Sequence, residues 1–131
     1  MLELRSLLSS DGKFSMTPTL YGIKNCDTVK KARRWLEDSG IEYQYHDFRE
    51  HGLDKQQLAT WLSGVGIEKL VNRRSTTWKQ LDETDRESIN DGRGNGLILG
   101  NPTLIKRPVL EANGNVYCGF SEDEYQEIFK G

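Results

Sequence analysis

The most reactive side chains in this sequence are two thiols, Cys26 and Cys118. A thiol attacks only as its thiolate, and free cysteine ionises near about 8.5. Two features favour the anion at Cys26. Asp27-Thr28 opens a helix immediately after it, and the N–H groups and dipole at a helix start attract negative charge. Lys24 and Lys30 lie close by in sequence and add positive charge, weakly opposed by Asp27. Cysteine is also a common small buried filler, but one held between Asn25 and Asp27 at a strand-to-helix turn is poorly placed for that. Cys26 therefore reads as a nucleophile.

Arg107-Pro108 is the second chemical feature. Proline inside a strand is expected at an edge, at a bulge or in a cis turn. A cis-proline would free neighbouring backbone groups to pair with a peptide-like thiol, and Arg107 would face an anion. The alternative is a proline that merely ends an edge strand. Arg73-Arg74 is the third feature, although an arginine pair in a polar loop is ordinarily solvated surface. Cys118 falls in the apolar run Val116-Tyr117-Cys118 and reads as a buried or edge-strand cysteine rather than a resolving thiol. His46 and His51 are the only histidines, and no paired-cysteine spacing occurs, so no metal site is expected.

The elements that must position these residues follow from periodicity. Thr19–Ile23 is a β-branched and aromatic run, and Lys24-Asn25 turns out of it. Val29, Ala32 and Leu36 then repeat at helical spacing, with Lys30, Lys31, Arg33 and Arg34 on the other face. Ser39-Gly40 ends that helix. Ile41–Phe48 alternates as a second strand, which makes a βαβ unit with parallel strands. Short helices follow from Leu53: one with Leu58, Trp61 and Leu62 on a face and stopped at Gly64 and Gly66, one turn at 67–71, then starts at Trp78 and Thr84. Asp91–Gly96 holds three glycines and reads as a loop or frayed helix end, and Leu97–Gly100 as an apolar turn. Leu104–Leu110 returns to β, Asn113-Gly114 is a hairpin turn, and Ser121 with Glu124 forms a capping box for a last helix carrying Tyr125, Ile128 and Phe129. The order is βαβ, helices, ββα: an α/β fold with a mixed sheet and a helical insertion at about 53–101.

The chain has 131 residues, 35% hydrophobic and 29% charged, which suits one domain with a modest core. The net charge of −2 gives no field for nucleic acid, and no apolar run approaches the roughly 20 residues of a membrane span. Met1–Ser15 lacks the apolar stretch and cleavage site of a signal peptide. Residues 1–16 read as a disordered extension, a cloning remnant or upstream start, and residues 17–131 as the single domain. A cytoplasmic location is expected by default.

Leu20–Leu36, Asn72–Trp78, Ile105–Pro108 and Gly119–Ser121 occur in an order that resembles the ArsC/Spx family, closest to its YffB branch. The resemblance spans about residues 17–130. It implies a thioredoxin-like core with a helical insertion between its halves. By resemblance, Cys26 is the nucleophile, Arg107 the arginine before a cis-proline at Pro108, and Arg74 the arginine shared after the short middle helix. Arg73 is a further match, and Lys24, Asn25, Lys30, Arg73 and Pro108 are expected against substrate.

Three departures steer the function. Spx regulators carry a second cysteine where this chain has Val29, so no local disulfide can form. Arsenate reductases have a basic residue where this chain has Gly119, and an arsenate oxyanion needs several arginines. The longer tail of the Spx regulators is missing. The resemblance therefore implies a monothiol, glutathione-dependent thiol reductase that acts as a monomer, with glutathione as co-substrate and glutaredoxin or a protein disulfide as partner. The alternatives are an adaptor docking on RNA polymerase in the Spx manner, and a glutaredoxin-coupled arsenate reductase.

Overall fold

A computed structural model describes residues 17–130. The expectation for residues 1–16 lies outside the described residues. Strand β1 (Thr19–Gly22) leads through a turn to helix α1 (Asp27–Asp38), and strand β2 (Gln44–Asp47) follows. The insertion holds α2 (Phe48–His51), α3 (Lys55–Val65), α4 (Ile67–Leu70), α5 (Thr76–Gln80), α6 (Glu83–Asn90) and α7 (Asn95–Gly100). A 3₁₀ turn at Pro102–Leu104 leads back to β3 (Val109–Ala112), β4 (Asn115–Cys118) and α8 (Glu122–Ile128).

The sheet order is β2-β1-β3-β4. β1 pairs parallel with β2 and antiparallel with β3, and β3 pairs antiparallel with β4. This is the mixed sheet of a thioredoxin-like fold. Two apolar clusters fill its faces. One joins Leu20, Ala32, Leu36, Leu110, Ala112 and Tyr125, and so glues α1 and α8 to one side. The other gathers Tyr21, Phe48, Leu58, Trp61, Leu70, Ile98, Ile105 and Val109 and docks the insertion on the opposite side. Gly22 is required where α1 crosses β1, since a Cβ there would sit 2.6 Å from a Val29 methyl. Among the described residues no helix is long and apolar enough to cross a membrane.

Several elements differ from their sequence reading. β2 is four residues long, not the eight of Ile41–Phe48, because its end is taken by Asp47, whose buried carboxylate accepts from the Arg49 and Glu50 N–H groups and starts α2. The glycine-rich 91–96 stretch is not all loop. Gly94 packs 2.7 Å (from an added Cβ) against the Ile89 backbone, and α7 begins right after it, turning Leu97–Gly100 into helix. Gly64 lies inside α3, and only Gly66 stops it. Ile105 makes a lone bridge to Val71, so regular strand starts only at Val109.

Candidate functional site

Cys26 is the N-cap residue of α1, with extended backbone (φ −106°, ψ 122°). Its carbonyl accepts from the Lys30 N–H at 3.0 Å, the first full-turn bond of the helix. Its side chain makes no capping hydrogen bond to the helix. Cys26 is half-buried against the insertion-side cluster. The amphipathic pattern of Val29, Ala32 and Leu36 fixes α1 on the sheet, and so fixes where Cys26 stands.

The Arg107-Pro108 peptide bond is cis. Pairing of Tyr21 with Val109 sets Gly22 and Ile23 beside Pro108 and Arg107. The turn that carries Lys24, Asn25 and Cys26 therefore emerges at the same end of the sheet as the cis-proline. The Val71–Ile105 bridge, with Asn72 N–H donating to the Leu104 carbonyl at 2.7 Å, lays the Arg73-Arg74 loop along 103–105. Arg107 reaches back to that segment and donates to the Thr103 carbonyl at 3.3 Å, while its Nε is buried without a partner. Arg74 is exposed, and its backbone N–H is held by the Asn72 side chain at 3.0 Å. Arg107 and the Arg74 loop thus meet through Thr103.

The remaining sequence candidates are placed differently. Arg73 donates to Asn90 Oδ1 at 2.5 Å, lies 3.6 Å from the Glu68 carboxylate and stacks 5.2 Å from the Trp78 ring centre. It ties α4, α5 and α6 together. Lys24 is exposed and lies 4.0 Å from Glu50. Asn25 and Lys30 are exposed beside Cys26. Arg33 is not simply a solvated charge: it donates to the Tyr43 hydroxyl at 3.0 Å and lies 4.0 Å over the Tyr45 ring. His46 contacts the Gly52 carbonyl at 3.0 Å and packs on Tyr21, a structural position at the edge of the core.

Cys118 ends the edge strand β4, and its thiol donates to the Lys69 carbonyl at 3.2 Å. Burial pushes its ionisation up, opposed in part by the Lys106 and Lys69 ammonium groups. A thiol held protonated is a weak nucleophile. Its sign with pH follows: the folded state keeps the proton longer than the unfolded chain, so the stability is whole below the free-thiol range of about 8.5 and falls as pH rises through the folded value. We expect iodoacetamide at neutral pH to modify Cys26 well before Cys118, read by peptide mass mapping. Equal rates at the two sites would contradict this placement.

One residue escaped the sequence reading. Lys106 is exposed, and its stem covers the buried Gly119. A Cβ on Gly119 would stand 3.3 Å from Lys106 Cε and 3.9 Å from its Nζ. The Lys106 side chain thus lies over the place that a side chain at 119 would take. The available signal was a lysine directly before Arg107.

The ArsC family profile matches residues 21–128. A solved structure of the YffB (PA3664) protein is 40% identical, covers 86% of this chain and 98% of its own, and superposes with a TM-score of 0.81. An arsenate reductase (ArsC) related protein from Brucella melitensis is 46% identical, with 88% and 97% covered and a TM-score of 0.70. The global transcriptional regulator Spx of Streptococcus mutans is 32% identical over 108 residues, 81% of this chain and 78% of that protein.

Proposed function

The chain belongs to the ArsC family, and on that footing we propose that it is a thiol oxidoreductase working through one cysteine, Cys26, with glutathione as the second thiol. The observation that carries this reading is the arrangement of its thiols. Cys26 stands at the start of α1 at the same end of the sheet as the cis-proline, Val29 occupies the place of a local resolving cysteine, and the Cys118 thiol is turned to the Lys69 carbonyl. A lone nucleophilic sulfur must be regenerated by a thiol from outside.

The chemistry is two exchanges. Cys26 thiolate attacks the glutathione sulfur of a mixed disulfide RS–SG. The S–S bond breaks, RS⁻ leaves and takes a proton from water, and Cys26–S–SG forms. A glutathione thiolate then attacks the glutathione sulfur of that adduct, releasing glutathione disulfide and restoring the Cys26 thiolate. Two electrons pass from glutathione to the substrate disulfide. Arg107 and Arg74 supply cations for glutathione carboxylates, a pairing that guanidinium groups make in bidentate form. Lys24, Asn25 and Lys30 border the entering sulfur, and the cis bond at Pro108 leaves the neighbouring Arg107 backbone groups to pair with the peptide. Glutaredoxin or a protein disulfide fits as the partner of this cycle, and a cytoplasmic setting, where glutathione keeps thiols reduced, suits it.

Titration of reduced glutathione into the isotope-labelled protein tests the reading. Amide shifts are expected to move at 24–30 and 104–109 and saturate together. A spectrum that stays unchanged at these residues to tens of millimolar would overturn it. The Spx likeness keeps docking on RNA polymerase as a second reading, for which retention of the chain by purified polymerase is the test.

A further inference from the structure

We propose that Lys106, laid across Gly119, is the residue that holds a terminal carboxylate of glutathione when glutathione is bound with its sulfur at Cys26. The inference rests on the function proposed above and adds a residue to it. Lys106 directly precedes Arg107 and the cis-proline, so its ammonium is tied to the same end of the sheet as Cys26. Gly119 donates its N–H to the Pro108 carbonyl at 2.9 Å, which puts it one strand beyond the proline. Lys106 reaches over to it, and Nζ ends 3.9 Å from where a Gly119 side chain would begin.

Glycine is favoured there by the backbone: its φ of +83° is one that side chains rarely adopt. A Cβ would stand 3.3 Å from Lys106 Cε, a contact the flexible stem could relieve by shifting. With no side chain at 119 the stem lies flat, buries the glycine and keeps the charged end in solvent. Lys106 has no ion-pair partner among the described residues. Its ammonium thus lies over Gly119, close enough to Cys118 to oppose the rise in that thiol's ionisation, with no carboxylate of the described residues against it.

The spacing selects the ligand. Strands lie about 4.8 Å apart, so the end of β1, from which the Cys26 turn leaves, and Gly119 beyond β4 are two spacings, roughly 10 Å, apart across the sheet. That separation does not suit a direct contact of Lys106 with the Cys26 sulfur. It does match a tripeptide bonded through its middle residue, whose end carboxylates reach about 7 Å from the sulfur before an ammonium contact of about 3 Å is added. Arg107 and Arg74 remain for the other carboxylate. Lys106 therefore reads the length and the charge of the glutathione chain.

Calorimetric titration separates this inference from the function beneath it. Reduced protein is titrated at low ionic strength with glutathione and with its diethyl ester. Lys106→Gln is expected to weaken glutathione binding by about five- to tenfold, with Lys106→Arg restoring most of it, since charge-assisted pairs carry that order of affinity. The ester should lose affinity for the native protein by more than it does for Lys106→Gln. Equal glutathione affinity in native protein and Lys106→Gln, both binding, would overturn the assignment of Lys106 and leave the proposed function standing. No glutathione binding by the folded native protein would overturn both.

Discussion

Cys26→Ser is expected to reduce glutathione-dependent disulfide reduction to the uncatalysed background while leaving the fold intact. Serine keeps the size and the N-cap preference of the position, so α1 should form as before. Oxygen cannot enter a thiol–disulfide exchange, so the cycle has no substitute route. Cys118→Ser should retain most of the activity, because that thiol donates to the Lys69 carbonyl and burial holds it protonated. The two variants together decide between a monothiol and a dithiol cycle. A standard assay that couples glutathione disulfide formation to a reductase reads both. Loss of activity in Cys118→Ser with an unchanged unfolding midpoint would mean that a second protein thiol takes part.

The largest loss of stability is expected from Trp61→Ala. Trp61 is fully buried and touches Tyr21 edge-on at 4.9 Å and Phe48 at 5.9 Å. Its indole N–H donates to Glu111 at 2.8 Å, and the Tyr21 hydroxyl donates to the same carboxylate at 2.9 Å. Burial and this carboxylate raise the Tyr21 ionisation well above its ordinary range. Removing the indole leaves a cavity and takes one of two donors from Glu111. Truncations of this kind cost about 3–5 kcal/mol, a large share of the 5–15 kcal/mol that usually holds a domain together. Urea unfolding followed by far-ultraviolet circular dichroism measures it. A loss below about 1 kcal/mol would show that α3 is not the anchor of the insertion. The same network bears on the proposed function, because the insertion carries the Arg74 loop that lies along 103–105.

Much of the site was legible in the residues around it. The apolar stripe of α1 and the polar residues before it located Cys26 at a helix start. The residues at Arg107-Pro108 left a cis turn and the end of an edge strand open, and the family resemblance implied the cis bond that is found. Asn113-Gly114 gave the hairpin, with φ of 55° and 78° at its two residues. These signals are local: each needs only a few neighbours in sequence. The features that escaped are contacts between distant segments. Arg73 is drawn to Asn90 and Trp78, 17 and 5 positions away, and no loop composition reveals that. Glu111 stands alone among apolar residues of β3, yet its donors come from β1 and α3. Lys106 reaches Gly119 only because β3 and β4 run side by side. β2 was read too long because alternation continues through Asp47 and Phe48, where capping of α2 overrides it.

Gly119 changes meaning once the fold is known. In the sequence it marks a missing charge and argues against an arsenate oxyanion. In the structure it is the floor under the Lys106 stem. On the proposed reading, a cation on a flexible stem suits a carboxylate at the end of a peptide better than a compact oxyanion gripped by several guanidinium groups.

The central claim is that Cys26 alone exchanges with glutathione, and one measurement addresses it directly. Reduced protein is mixed with excess glutathione disulfide, quenched with acid and weighed intact and as peptides by mass spectrometry. The expected product is a single glutathione adduct on the Cys26 peptide, removed on adding reduced glutathione, with Cys118 unmodified. An adduct confined to Cys118, or a Cys26–Cys118 disulfide in place of any adduct, would contradict it.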